Sequence, residues 1–358
     1  MYQNELKALK KAERFRQRQI FDENLIDFAS NDYLGFANNK KQFKKAFEWM
    51  KDFDTHAPKA SMLVNGYHEI HQGLERTLSN LNRFEKGIIV GSGFLANMAL
   101  IESLVRKKDM LFIDEDYHAS GMMATGLLAD RVVKFKHNDP EDLKDKLKAF
   151  EGGRKIIAVE GVYSMSGELC DRDIFDLADE HEALLIVDEA HSAGVLGEKL
   201  LGIFEYYEIQ PKDNHIKMGT LGKAYGSYGA YILASAEIIS FLENRAKPII
   251  YSTAPSIFDT ALALVNVSKI ANNPKSFTDK IKERHDVVKR VTGIDMKSLI
   301  LAIQIEDNAM TQRLQQALIL KGYLVGAIRQ PTVNKPILRI IPRLGSSKKA
   351  LKKLLNHF

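Results

Sequence analysis

Two short runs hold the residue types that could do chemistry. Gly219-Thr220-Leu221-Gly222-Lys223-Ala224-Tyr225-Gly226-Ser227-Tyr228-Gly229 sets one lysine among small residues, just after an apolar, strand-like segment. Upstream, Leu184-Leu185-Ile186-Val187 ends in Asp188, and His191 follows three positions later. An unperturbed lysine is charged and unreactive, with a pKa of about 10.4. Partial burial facing a cationic ring would lower it and allow Schiff-base formation. By itself the window reads more plainly as a lysine in a Gly-rich surface turn. Asp188 shifts the balance, because an acid ending a buried strand is costly without a partner. A protonated pyridine nitrogen would be one such partner, and a hydrogen-bonded loop another. A carboxylate, an imidazole and a lysine in one site suit pyridoxal 5'-phosphate (PLP) chemistry.

Two further strings fit the same reading. Val90-Gly91-Ser92-Gly93-Phe94-Leu95-Ala96-Asn97 reads as strand, glycine turn and helix start. Backbone N–H groups at Gly93 and Phe94 could take a phosphate there, although many strand–helix turns look alike. His118, in Asp116-Tyr117-His118-Ala119-Ser120, follows another strand end and could stack on a ring. Zinc, P-loop, hydrolase-elbow and dinucleotide patterns are absent.

Positioning such groups needs a sheet. From Gly87 onward, apolar runs at 87–90, 110–113, 132–135, 156–159, 184–187, 216–218 and 231–233 alternate with helical patterns at 93–105, 140–150 and 172–181. This predicts an α/β fold with a mainly parallel sheet between helices. Ligands bind such sheets at the C-terminal strand ends, where Ser164, Asp188 and Thr220 fall. Ile70, Leu74, Leu78 and Leu81 mark a helix after Gly66, and residues 1–20 read as a basic amphipathic helix. A helical stretch runs from about 255 to 291. Strands at 299–305, 323–328 and 337–341 and helices at 311–321 and 348–357 then predict a small C-terminal α+β domain, joined by the N-terminal segment. The division is 1–35, 36–255 and 256–358.

The chain has 358 residues, 51 basic and 46 acidic, for a net charge of +5. The excess is spread out, unlike the patch of a nucleic-acid binder. Lysine-rich runs at 7–11, 40–45 and 348–353 read as solvated helix faces, or more sharply as docking surfaces for an anionic substrate or an acidic carrier protein. No apolar run reaches the roughly 18 residues of a membrane span. The charged N-terminus is not expected to be a secretory signal. One cysteine, Cys170, fits a reducing cytoplasm and reads as packed rather than reactive.

Taken together, the strings resemble the α-oxoamine synthases, PLP enzymes of fold type I, the aspartate-aminotransferase fold. The resemblance runs from about 25 to 341. It rests on Ser30-Asn31-Asp32-Tyr33-Leu34-Gly35, Leu63-Val64-Asn65-Gly66-Tyr67, Val159-Glu160-Gly161-Val162-Tyr163-Ser164-Met165, the run from Val187 to Gly197, Gly219–Lys223 and Tyr251-Ser252-Thr253. It implies Lys223 as Schiff-base lysine and proton shuttle, Asp188 on the pyridine nitrogen and His118 on the ring. His191 and Ser164 would hold the phenolic oxygen. Gly93, Phe94 and Thr220 would take the phosphate, and Ser252 or Thr253 would reach the cofactor of the other subunit of a homodimer with shared sites. Asn31 and Arg339 would orient a carboxylate. Ala327-Ile328-Arg329-Gln330-Pro331-Thr332-Val333, with Leu338-Arg339-Ile340, is most similar to the biotin-pathway branch, which places Arg329 nearer the acyl chain's end. That branch implies L-alanine and pimeloyl-CoA or pimeloyl-acyl carrier protein as substrates; another family member would use glycine and a short acyl-CoA. A silent subunit would have lost the lysine. The chain departs from the family at Ala57-Pro58-Lys59-Ala60-Ser61-Met62, where Met62 replaces an arginine, at Ser166 and at Asn334-Lys335-Pro336.

Overall fold

The computed structural model describes residues 1–358 and divides them into two compact units. The larger is Leu34–Ser164 with Glu168–Asp279; the smaller is Met1–Tyr33, Met165–Gly167 and Lys280–Phe358.

In chain order the strands are β1 (Ile26–Phe28), β2 (Lys86–Val90), β3 (Met110–Asp114), β4 (Val132–Phe135), β5 (Lys155–Glu160), β6 (Leu184–Asp188), β7 (His215–Thr220), β8 (Ala230–Ala234), β9 (Leu301–Gln304), β10 (Tyr323–Ile328) and β11 (Ile337–Ile340). The larger unit holds a seven-stranded sheet ordered β2-β8-β7-β6-β5-β3-β4. β4, β3, β5, β6 and β7 are parallel, and β8 runs antiparallel to both its neighbours. All seven predicted runs are strands of this sheet, most of them a residue or two longer than the apolar run.

Strand periodicity explains why the runs are continuously apolar. Leu111, Ile113, Ile156, Ala158, Ile186, Ile216 and Met218 share one core with the helix Gly93–Leu104. The alternate positions Phe112, Ile157, Leu185 and Val187 are fully buried too. Successive side chains point to opposite faces, so both faces of the sheet are covered.

Several helices differ from the sequence expectation, among them Ala236–Arg245, which it did not predict. The N-terminal helix covers only Gln3–Lys11, with no buried residue to extend it, and Glu13 takes a left-handed φ of 55°. Ala119–Thr125 forms a helix too short for its period to be read. The stretch after 255 is two helices, Ile257–Asn272 and Lys275–Thr292, broken at Asn273-Pro274 because proline cannot continue the hydrogen-bond ladder. Ile257 and Ala261 pack with Ala46, Met50 and Ile70 inside the larger unit. In the smaller unit, β1 joins the sheet β1-β10-β11-β9 through parallel pairing with β10. Cys170 is buried, and burial pushes its thiol pKa well up, which leaves it inert. No helix is long and apolar enough to cross a membrane.

Two ion pairs of His137 join the loop beyond β4 to the end of β3 and to the loop beyond β5. His137 Nδ1 lies 3.0 Å from the buried Asp114 and Nε2 lies 3.2 Å from Glu168. The hydrogen bond to Asp114 raises the His137 pKa to about 9, against the opposing effect of burial. A raised folded pKa gives stability that is complete below the unfolded value of about 6.5 and lost as pH climbs through about 9. His137→Gln should therefore cost on the order of 1–2 kcal/mol at pH 6, allowing for solvent screening. Urea midpoints of both proteins from pH 6 to pH 10 check this, and the gap should close at the alkaline end.

Candidate active site

Three parallel strands deliver one polar residue each to the same end of the sheet. β5 ends in Glu160, β6 in Asp188 and β7 in Thr220, with Glu160 in register with Asp188. The next residue, Glu189, turns the other way into a buried pair with Lys217 at 3.1 Å. Strand alternation thus assigns Asp188 alone of this acidic pair to the cavity.

The cavity has a volume of about 210 Å³. Of the sequence-predicted residues, Gly93, Phe94, His118, Asp188, His191, Thr220 and Lys223 line it. Ser164 is buried beside it through Glu160, whose Oε2 accepts from the Ser164 N–H at 3.0 Å. Ser252 and Thr253 are not among its lining residues. Asn31 and Arg339 meet in the smaller unit, where Arg339 donates to Asn31 Oδ1 at 2.8 Å. Arg329, also in that unit, donates to the Glu13 carbonyl at 3.0 Å.

Lys223 sits in a loop closed on itself. Leu221 N–H donates to the Gly229 carbonyl, Ser227 N–H to Leu221, and Gly226 N–H to Lys223. Gly226 has a φ of +56°, and a Cβ there would come within 2.3 Å of Phe36. No other residue fits that turn without displacing Phe36. Half-buried Lys223 places Nζ 2.8 Å from His191 Nε2, a distance at which a proton can pass between two nitrogens.

Asp188 Oδ2 accepts from Asn97 Nδ2 at 2.9 Å, and Oδ1 from the Ala190 N–H at 3.0 Å. Two N–H donors are the company a buried carboxylate requires. Asn97 is oriented in turn by Tyr117, whose hydroxyl donates to its Oδ1 at 2.7 Å, and it also donates to Ser120 Oγ at 2.9 Å. Ser120 Oγ lies 2.7 Å from His118 Nδ1. Burial holds the His118 pKa below its usual value despite the pull of Asp188. Burial, and then Asp188, push the Glu160 carboxyl well above the carboxylate range. Asn97, Ser120 and Glu160 were not singled out in the sequence. Their signals were present: a polar residue one turn into the apolar helix Gly93–Leu104, and an acid at a strand end level with Asp188.

The phosphate end can be tested on the chain itself. Thr220 Oγ1 is buried without a hydrogen-bond partner. A Cβ at Gly93 would come 2.7 Å from Thr220 Cγ2, so helix start and strand end meet only because position 93 has no side chain. The first N–H groups of a helix have no intrahelical acceptor. An orphaned hydroxyl beside those donors is a cradle for a small anion. Donors for an anion, a buried acid and a lysine on the walls of one cavity fit PLP.

The family profile described as aminotransferase class I and II matches residues 23–358. The chain belongs to that family. Among class I and II relatives, 8-amino-7-oxononanoate synthase of Helicobacter pylori (strain J99) is 44% identical over 358 residues, covering 99% of this chain and 96% of the relative. The putative 8-amino-7-oxononanoate synthase of Aquifex aeolicus is 34% identical over 366 residues, with 99% and 96% covered. The crystal structure of 8-amino-7-oxononanoate synthase from Francisella tularensis superposes with a TM-score of 0.75 at 27% identity, covering 94% of this chain and 97% of that one. Sphingomonas wittichii serine palmitoyltransferase reaches 0.87 at 22% identity, with 99% and 95% covered, a likeness of fold. The sequence-based expectation of a fold type I α-oxoamine synthase holds.

Proposed function

We propose that this chain catalyses the decarboxylative condensation of L-alanine with a pimeloyl thioester, giving 8-amino-7-oxononanoate, CO2 and free thiol for biotin synthesis. The observation that carries the chemistry is the single cavity on which Lys223, His191, Asp188, His118 and Thr220 converge. The choice of substrates rests on the full-length similarity to synthases of that name. When bound, PLP supplies an aldehyde that takes amino groups covalently and a pyridinium ring that accepts the electron pair of a Cα carbanion.

The residues divide the remaining work. Thr220 Oγ1 and the N–H groups of Gly93 and Phe94 hold the phosphate. Asp188, fixed by Asn97 and Ala190, keeps the ring nitrogen protonated. His118 would pack against the ring, and the burial that lowers its pKa favours the uncharged imidazole. His191 and Ser164 hold the phenolic oxygen. Lys223 Nζ, on the cavity wall beside His191 Nε2, would take the Cα proton of the bound amino acid. In the net reaction the amino acid's Cα would bond to the thioester carbonyl carbon and the thiolate would leave. Loss of the carboxylate as CO2 makes the step irreversible, and Lys223 returns a proton to Cα. Ser252 and Thr253, half-buried and exposed after the short helix Lys247–Ile250, serve the cofactor of a second subunit.

Thiol release with alanine, glycine and serine against pimeloyl-CoA and acetyl-CoA tests the reading. Alanine with pimeloyl-CoA should turn over fastest. Glycine with acetyl-CoA in first place would make the chain a different synthase of the family.

Arg339 is the proposed partner of the amino-acid or product carboxylate. It is buried on β11 with its guanidinium on Asn31 and Tyr33, and the guanidinium fork matches a carboxylate in two bonds. Arg339→Ala should remove about 1.5–3 kcal/mol of binding, weakening alanine roughly ten- to a hundredfold. Cofactor absorbance should not change. Arg329→Ala, in contrast, should chiefly raise the thioester KM. Alanine titrations and thioester kinetics on both variants decide it, and a reversed pattern would mean that the two substrates have been placed the wrong way round.

A further inference from the structure

The helix Lys40–Met50 has a use that the active site does not explain. Gln42, Ala46 and Met50 form its buried stripe. Lys40, Lys41, Lys44 and Lys45 all face solvent, and none has an acidic partner. Glu48, the one acid on the helix, is taken by Lys51 at 2.7 Å. Among the lysines stand three large apolar side chains, Phe43, Phe47 and Trp49, at 53%, 54% and 40% exposure. Two adjoining clefts of about 680 and 530 Å³ share Lys41 and Lys45. The larger is also lined by Trp49, Thr77, Leu264 and Lys269, and no acid lines it.

We infer that this face docks an acidic carrier protein that presents the acyl group as a thioester, an inference that rests on the condensation proposed above. Charge decides the class of occupant. A second copy packed with this helix on the two-fold axis would set the lysine row against itself, which is repulsive. An acidic helix meets it with opposite charge, and aromatic side chains supply the apolar centre that such interfaces need. The two clefts together are far broader than a nucleotide's phosphates require, which favours a protein over free CoA.

Placement supports delivery to the active site. Gln42 Nε2 donates to Asn266 Oδ1 at 3.3 Å, and Asn266 Nδ2 donates to the Tyr225 carbonyl at 2.8 Å. Tyr225 is two residues beyond Lys223. The docking helix is thus tied by a buried network to the loop that carries the reactive lysine. A carrier protein seated on this helix would present its flexible thiol arm on the same compact unit that holds the cavity.

The test uses the PLP-loaded protein with pimeloyl-acyl carrier protein and pimeloyl-CoA as alternative acyl donors. Lys41→Glu/Lys45→Glu should lower kcat/KM about thirtyfold or more with the carrier protein and less than about twofold with CoA, because opposed charge steers the encounter. The carrier reaction of the unmodified protein should weaken with added salt, and that of the variant should not. Retained CoA turnover reports that the variant folds, and Lys41→Ala/Lys45→Ala should show the same split at smaller amplitude. Equal losses with both donors, a loss with CoA alone, or no loss would overturn the docking face. So would binding to anionic vesicles that the substitutions abolish while carrier turnover stays unchanged. If the unmodified protein turned over neither thioester, the proposed function itself would fail and the docking inference with it.

Discussion

Lys223→Ala should abolish the visible absorbance of the PLP-loaded protein and its capacity to be covalently fixed by borohydride. In the unmodified protein, borohydride should attach the cofactor to the peptide containing Lys223, as peptide mass mapping would show. Turnover should fall by roughly 10²–10⁴-fold from the lost proton transfer alone. The fold should survive, because Lys223 is half-buried and its loop is closed by backbone bonds that alanine keeps. Lys217 is the internal control. It is fully buried, yet its Nζ is committed to Glu189 and the Leu201 carbonyl. Borohydride labelling of Lys217, or of any lysine but 223, would remove Lys223 from the site.

Asp188→Asn should leave the fold intact and cost about 3–4 kcal/mol of transition-state stabilisation, or roughly 10²–10³ in kcat. Asp188 now accepts from two N–H groups, Asn97 Nδ2 and Ala190 N. An amide has one acceptor oxygen and one donor nitrogen, so it can satisfy only one of them and turns a donor toward the other. It also loses the negative charge that holds a proton on the ring nitrogen. Cofactor affinity, read by absorbance titration, should fall with kcat. Asn97→Ala should act in the same direction, more weakly, by freeing one carboxylate oxygen. Near-unchanged turnover of Asp188→Asn in steady-state assays would take Asp188 out of the mechanism.

Much of this was legible in the sequence because buried parallel strands leave a strong signal. A strand covered on both faces has to be apolar at every position, so the runs at 110–113, 156–159 and 184–187 stand out, and Asp188 is conspicuous as the polar residue that ends one. The Gly-rich run around Lys223 is equally plain, since its glycines answer a local backbone demand. Short or mixed elements left less trace. Ala119–Thr125 has too few residues for a period, and Asn97 lies in a helix that otherwise reads as core.

What the sequence determined by itself was the set of strands, the chemistry-bearing residue types and their family. These depend on local pattern, and local pattern survives in one dimension. The tertiary structure decided how those residues meet. It placed β8 antiparallel between β2 and β7, and set Glu160 level with Asp188 across a strand pair. It brought Asn97 onto Asp188 from 91 residues away and left Thr220 Oγ1 without a partner beside Gly93. It also turned Glu189 away from the cavity into the pair with Lys217. Each of these depends on strand order, register or side-chain direction. Such features are fixed only when distant segments pack together and every buried polar group has to find a partner or keep a place for a ligand.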